Sequence, residues 1–221
     1  MNTRCVYYRN EELSDHHKDN MTLAPFVDLL NHSQLENVSI HREKHDMLIT
    51  AISTIEEGEE LVFSYHSESA RFWLSEYGFI PSENAFDDLD ITREITTIVG
   101  IRQDWLEEQG YWGYDPFFFV IDVREYTISM EGIVSWRVEV ALRAVLLSTD
   151  EEQLQMFLAG HYDGTHEQGQ VNDILRKILF EKVEQCEKVL ALNWTSCIER
   201  DLVRKLWEGE LNVAKTTLEI L

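Results

Sequence analysis

No two of the three cysteines (Cys5, Cys186 and Cys197) stand at a metal-ligand spacing, and three cannot all pair. They read as reduced thiols, which sets the expectation of an intracellular protein of the cytoplasm or nucleus. Long apolar runs are missing as well. Phe117–Ile121 and Val138–Leu147 are too short and too interrupted by charge to span a bilayer, so no membrane partner is expected. The first twenty residues are polar and charged, without the apolar stretch of a signal peptide. Bases are scarce too: 19 Lys and Arg against 41 Asp and Glu give a formal net charge of −22. Phosphate contacts need clustered Lys and Arg, so no nucleic-acid partner is expected. The same charge suits a basic protein partner, although an acidic surface also simply keeps a chain soluble. Oligomeric state is left open, and no internal repeat or low-complexity tract is visible.

What is present is material for a packed fold. Hydrophobic residues make up 44% of the chain and aromatics 11%, which excludes a disordered tail. Periodicity changes near residue 85. Before it, Val38–His41 and Met47–Ile52 alternate as strands. Residues 55–60 form a turn in which Gly58 is free to take positive φ. Leu61–Tyr65 reads as a third strand, with Leu61 and Phe63 on one face and Val62 and Ser64 on the other. Ser67–Tyr77 reads as a helix capped by Ser69 and ended by Gly78, with Phe72 and Trp73 turned inward. After Asp90 the pattern becomes helical. Val138, Ala141, Leu142, Val145 and Leu146 mark one buried helix, and a longer amphipathic one runs from Val171 to Leu190. A third starts at Ile198 and carries Leu202, Val203, Leu206 and Trp207, with Leu211, Ala214 and Leu218 continuing its face. Residues 1–84 hold 15 acids and 6 bases (−9), leaving 26 acids and 13 bases (−13) for residues 85–221.

Three segments carry chemistry: Leu23-Ala-Pro-Phe-Val-Asp-Leu-Leu-Asn-His-Ser33, Glu57-Gly-Glu-Glu-Leu-Val-Phe-Ser-Tyr65 and Tyr77-Gly-Phe-Ile-Pro81. Singly, each is ordinary: an Asn-His pair is usually a turn, and a tyrosine at a strand end is usually core with a wet hydroxyl. Together, in this order and spacing, they resemble the SET-domain lysine methyltransferases. In that family an Asn-His segment and a Gly-Glu-[Glu/Gln]-Leu…Tyr segment thread past each other in a pseudoknot. The Asp-Leu-Leu-Asn-His-Ser form, the Tyr-Gly-Phe segment and the helical remainder resemble the class of the Rubisco large-subunit methyltransferase and its fungal ribosomal-protein and elongation-factor relatives.

The resemblance implies an α+β fold: the C-terminal part of a β-rich SET domain over residues 1–84, then an all-α, substrate-binding-like domain over residues 85–221. It implies S-adenosyl-L-methionine as cofactor and a non-histone basic protein as substrate, a ribosomal protein or translation factor. By the same resemblance Tyr65 is the catalytic tyrosine beside the transferred methyl. Asn31, His32 and Phe79 line the cofactor, and Arg4, in Asn-Thr-Arg-Cys, contacts its carboxylate. Tyr77 walls the lysine channel and Asp28 steers the cationic lysine.

One part of the family pattern is missing. The only glycines before residue 85 are Gly58 and Gly78, so no Gly-x-Gly turn approaches the cofactor. The expectation is a chain that begins partway through the catalytic domain and binds the cofactor weakly or not at all. The alternative function is a catalytically silent SET remnant joined to a helical protein-binding module, and an unstable fragment is a third reading. His41 and His45 stand four apart, a metal spacing on a helix, but the segment bridges two strands; no metal is expected. Residues 11–20, with His16 and His17, read as a polar surface loop. Gly110-Tyr-Trp-Gly-Tyr-Asp-Pro116 reads as a loop packing on the helical domain, with substrate contact as the alternative.

Overall fold

A computed structural model of the chain describes residues 5–7, 20–43, 46–82, 84–112, 126–192 and 198–221. Met1–Glu68 with Phe72–Asn84 form one compact unit; Ser69–Arg71 with Ala85–Leu221 form the other.

The first unit is built of short paired strands. β1 (Cys5–Tyr7) pairs antiparallel with β2 (Met21–Leu23), and a single helical turn follows, α1 (Pro25–Asp28). Proline suits the start of that turn because its missing N–H is unpaired there in any case. β3 (Asn31–His32) pairs in parallel with β6 (Val62–Phe63), matching Asn31 to Val62 and His32 to Phe63. Between them lies the expected hairpin, β4 (Val38–Glu43) and β5 (Asp46–Ala51). Gly58 takes φ +87° in the turn before β6, as its sequence context requires.

The strand expected over Leu61–Tyr65 shrinks to two residues, because side chains intercept the neighbouring amides. Val62 N–H donates to Asn37 Oδ1, Ser64 N–H to Glu36 Oε2 and Tyr65 N–H to His32 Nδ1. Burial does not alternate as expected: Val62 and Phe63 are both half-buried, with Leu61 and Ser64 exposed on either side. The helix expected from Ser67 starts at α2 (Ala70–Phe72) and runs on as a π turn, Trp73–Tyr77, ended by Gly78 at φ +78°. Ser69 is not its cap. Ala70 N–H donates to the Asp87 carboxylate, while Ser69 Oγ is buried without a partner among the described residues. Trp73 is fully buried and Phe72 half-buried.

The second unit is largely helical: α3 (Thr92–Val99), α4 (Gln103–Glu108), α5 (Trp136–Leu146), α6 (Glu151–Leu158), α7 (Gln168–Leu190) and α8 (Ile198–Ile220). Asp150 caps α6 by accepting from Gln153 N–H, a side-chain cap with glutamine at the third position. The periodic apolar stripes close into one core, in which Ile95, Leu106, Leu142, Leu154, Leu175 and Leu179 are fully buried. α7 and α8 pack along each other, and the deepest positions of α8 are Val213, Ala214 and Thr217. The α+β class stands. To the helical domain the structure adds a strand pair, β7 (Asp88–Asp90) antiparallel to β8 (Thr127–Ser129), with Leu89 and Ile128 buried between the helices. Tyr111 and Trp112 of the aromatic loop pack on this core, as expected; the loop's residues 113–116 lie outside the described residues. No helix among the described residues is long and apolar enough to cross a membrane.

Candidate active site

The parallel pairing of β3 with β6 brings Asn31 and His32 into register with Val62 and Phe63 and turns the residues after them toward each other. Asn37, buried just before β4, ties the crossing: its Oδ1 accepts Val62 N–H at 2.9 Å and its Nδ2 donates to the Glu60 carbonyl at 2.8 Å. Its own N–H donates to the Val62 carbonyl at 3.1 Å. Asn31 is exposed and its Nδ2 donates to the Glu60 carboxylate. The chain leaving β6 then delivers Tyr65 beside His32, whose Nδ1 accepts Tyr65 N–H at 3.2 Å. The Tyr65 hydroxyl donates to the Leu30 carbonyl. What that hydroxyl offers a cation is therefore its oxygen lone pairs.

The π turn completes the cluster from the other side. Trp73 stacks on His32 with ring centres 4.3 Å apart and planes 30° apart. Around it, Tyr77 lies at 5.1 Å and Phe79 at 5.4 Å, and Tyr77 also lies 5.6 Å from Tyr65. Tilted and edge-on pairs of this kind favour one ring arrangement over others, since ring edges are positive and ring faces negative. Those negative faces also attract cations.

Titration behaviour follows from burial. His32 is held below its ordinary 6.5 by burial and then by nearby His66. Its Nε2 is buried with no partner among the described residues. His66 is likewise lowered by burial of part of its ring. The Tyr77 phenol is raised, by burial first and then by Tyr65, Glu76 and Glu68.

Of the residues singled out in the sequence, His32, Tyr65, Tyr77 and Phe79 thus meet around one tryptophan, and Asn31 adjoins them on β3. Asp28 ends α1, two residues before the Leu30 carbonyl that receives the Tyr65 hydroxyl. Arg4 lies outside the described residues, as does His45; His41 sits on β4. Among the described residues, no group of three or more His, Cys, Asp or Glu could hold a metal ion. Sequence reasoning passed over Asn37, the tie at the crossing, because a polar residue before a strand carries no signal of what it will bond. It marked Trp73 only as inward-pointing, and it missed His66, whose place beside Tyr65 in the chain was the available clue.

Residues 87–220 match the family described as the ribosomal lysine N-methyltransferase 2 C-terminal domain, and residues 2–66 match the SET domain. The chain is 28% identical over 237 residues to ribosomal lysine N-methyltransferase set11 of Schizosaccharomyces pombe, covering 99% of this chain and 57% of that protein. It is 27% identical over 211 residues to ribosomal lysine N-methyltransferase 2 of Saccharomyces cerevisiae, covering 86% and 41% respectively. It is 26% identical over 242 residues to human SET domain-containing protein 4, covering 100% and 52%. The chain spans about half the length of the curated relatives it matches.

Proposed function

Because the chain belongs to the family of the ribosomal lysine N-methyltransferase 2 C-terminal domain, we propose that it serves S-adenosylmethionine-dependent methylation of a protein lysine, with a lysine-rich ribosomal protein as substrate. The single observation that carries this reading is the Tyr65 hydroxyl beside the crossed β3 and β6 strands, walled by the rings of His32, Trp73, Tyr77 and Phe79.

The residues present fit one side of a sulfonium cofactor. Aromatic faces attract a cation by about 0.5–2 kcal/mol each, and the buried Nε2 of half-buried His32 is a polar atom without a partner among the described residues. Asn31, His32 and Phe79 are the residues to hold it, with Arg4 for its carboxylate. When bound, the cofactor supplies an electrophilic methyl group. The chain's own part is to prepare the nucleophile. A free lysine holds its proton to about pH 10.4, and an aromatic channel lowers that value by desolvating the ammonium. Tyr77 supplies such a wall. The Tyr65 oxygen, with its proton committed to Leu30, orients the amine and stabilises positive charge near it. Asp28 draws the cationic side chain in, and the net charge of −22 attracts a basic protein over a longer range.

The test is transfer of a radiolabelled methyl group to ribosomal proteins. Tyr65→Phe is expected to lower the rate by about 100-fold, the usual cost of one oriented hydroxyl. A Phe variant as active as the parent removes Tyr65 from the mechanism. A second reading has an observation of its own. The first unit leaves Phe26 83% and Leu29 76% exposed, while the helical unit is well packed. The helical unit then binds a protein partner and the first unit is scaffold. Calorimetry with S-adenosylmethionine separates the two: micromolar binding favours the enzyme, and none beside retained partner binding favours the module.

A further inference from the structure

Lysine arrives as an ammonium and attacks as a neutral amine, so one proton must leave before methyl transfer. Resting on the methyltransferase reading above, we propose that His66 accepts this proton at the open end of the ring cluster and passes it to solvent.

The His66 ring lies edge-on to Phe72 at 6.1 Å and 6.4 Å from Tyr77, centre to centre. Tyr77 in turn lies 5.6 Å from Tyr65. Tyr65, Tyr77 and His66 are therefore successive ring neighbours, of which both tyrosines are half-buried and His66 is exposed. A proton leaving the nitrogen that reacts beside Tyr65 has the same path to take.

The other groups of the cluster are poor acceptors. The Tyr65 hydroxyl commits its proton to the Leu30 carbonyl, and the Tyr77 phenol is raised by burial. His32 already accepts Tyr65 N–H at Nδ1, and its Nε2 is buried away from water. Glu68 and Glu76 act on Tyr77 by their charge, and neither is among the groups that lower the His66 imidazole. His66 differs. Neither of its ring nitrogens has a hydrogen-bond partner among the described residues, and burial against Phe72 and Tyr77 keeps it neutral at pH 7. The titratable groups facing it are Tyr77 from the π turn and His32 from β3, and neither is an anion that would hold the imidazole charged.

The balance is simple. An N–H bond of the ammonium breaks, its electron pair stays on nitrogen, and the proton joins an imidazole nitrogen directly or through one water. The imidazolium returns it to bulk water. The methylated product carries the positive charge again, so each cycle releases one proton. Free lysine is the stronger base, about 10.4 against 6.5, so the transfer follows desolvation of the ammonium by the aromatic walls.

Two measurements on the intact chain test this. In the first, the His66 Cε1–H resonance, identified by its loss in His66→Gln, is followed from pH 5 to 8 with and without an N-acetyl-lysine-amide probe. The expected result is a titration midpoint that falls when the probe binds, because an adjacent ammonium disfavours imidazolium. An unmoved midpoint overturns the proposal whether or not the chain turns over. In the second, His66→Gln is expected to lower kcat at pH 7 by about tenfold or more, with KM for the protein substrate little changed. The acid inflection of the kcat–pH profile disappears and added imidazole restores the rate. A parent that methylates beside a variant with the same profile overturns the His66 role and leaves the methyltransferase reading intact. No methyl transfer by the parent removes both.

Discussion

At the scale of the residue, His32 shows how burial converts a polar side chain into a condition on folding. Its ring is stacked on Trp73, its Nδ1 serves the Tyr65 amide, and burial with nearby His66 holds it below 6.5. The unfolded chain then binds more protons than the folded one around pH 6, so stability rises with pH in that range. The contribution of the neutral ring is fully present above pH 6.5 and is lost as the pH falls through 6.5 toward the lowered folded value. Trp73 is the only tryptophan among residues 1–84, so the unfolding of that unit has its own probe, read as the part of the fluorescence change that Trp73→Phe abolishes. The urea midpoint of this signal is expected to stay flat from pH 8 to 7 and to fall by pH 5.5, still above the carboxylate range. In His32→Gln the fall is shallower, since one of the two lowered histidines is gone. An unchanged slope in that variant would assign the pH dependence elsewhere.

At the scale of the element, the crossing of β3 and β6 depends on side chains more than on strand pairing. Two residue pairs make a very short ladder, and an isolated pair of strands is marginal in water. Asn37 supplies what the ladder lacks, holding the Val62 amide and the Glu60 carbonyl with its side chain while buried itself. Asn37→Ala leaves both groups without that partner and is expected to cost about 1–3 kcal/mol. Asn37→Asp keeps the acceptor but sets a charged oxygen against the Glu60 carbonyl and the Glu59 carboxylate, so it is expected to cost at least as much. Urea midpoints of the first unit check the order; an alanine variant as stable as the parent would show that water replaces the amide. This tie was not legible in advance, because Asn37 meets Val62 and Glu60 from 25 and 23 residues away. The β4–β5 hairpin was legible, because alternation and a local turn specify it within 14 residues.

At the scale of the whole molecule, the two units have unequal means of staying folded. Among the described residues of the first, only a few apolar side chains such as Val27, Val38, Trp73 and Ile80 are buried, while Leu23, Phe26, Leu29 and Leu35 face outward. In the second, one continuous core joins α3, α5 and α7 with the β7–β8 pair, and buried Arg143 donates from its two terminal nitrogens to Glu139, Gly164 and Gln168. Hydrophobic burial is the main favourable term in folding. Amide hydrogen exchange is therefore expected to be fastest in the first unit, β4 and β5 included, and slowest in α5 and α7. Uniform protection across both units would contradict this inequality.

The sequence by itself determined the α+β class, the long amphipathic helices and the hairpin, because 2.0 and 3.6 periodicities act between near neighbours. Its three short motifs also singled out Asn31, His32, Tyr65, Tyr77 and Phe79, though not Asn37 or His66. Tertiary structure alone decided how they meet. The parallel step of β3 onto β6, the Asp87 carboxylate at the start of α2 and the stacking of Trp73 on His32 each join residues well separated in the chain. Tyr65 became a member of the ring cluster around Trp73, and His66 a candidate rather than a loop residue, only once the π turn was folded over them. The physical reason is that periodicity registers which face of an element is apolar, whereas hydrogen-bond partners and ring contacts depend on what the folded chain brings alongside.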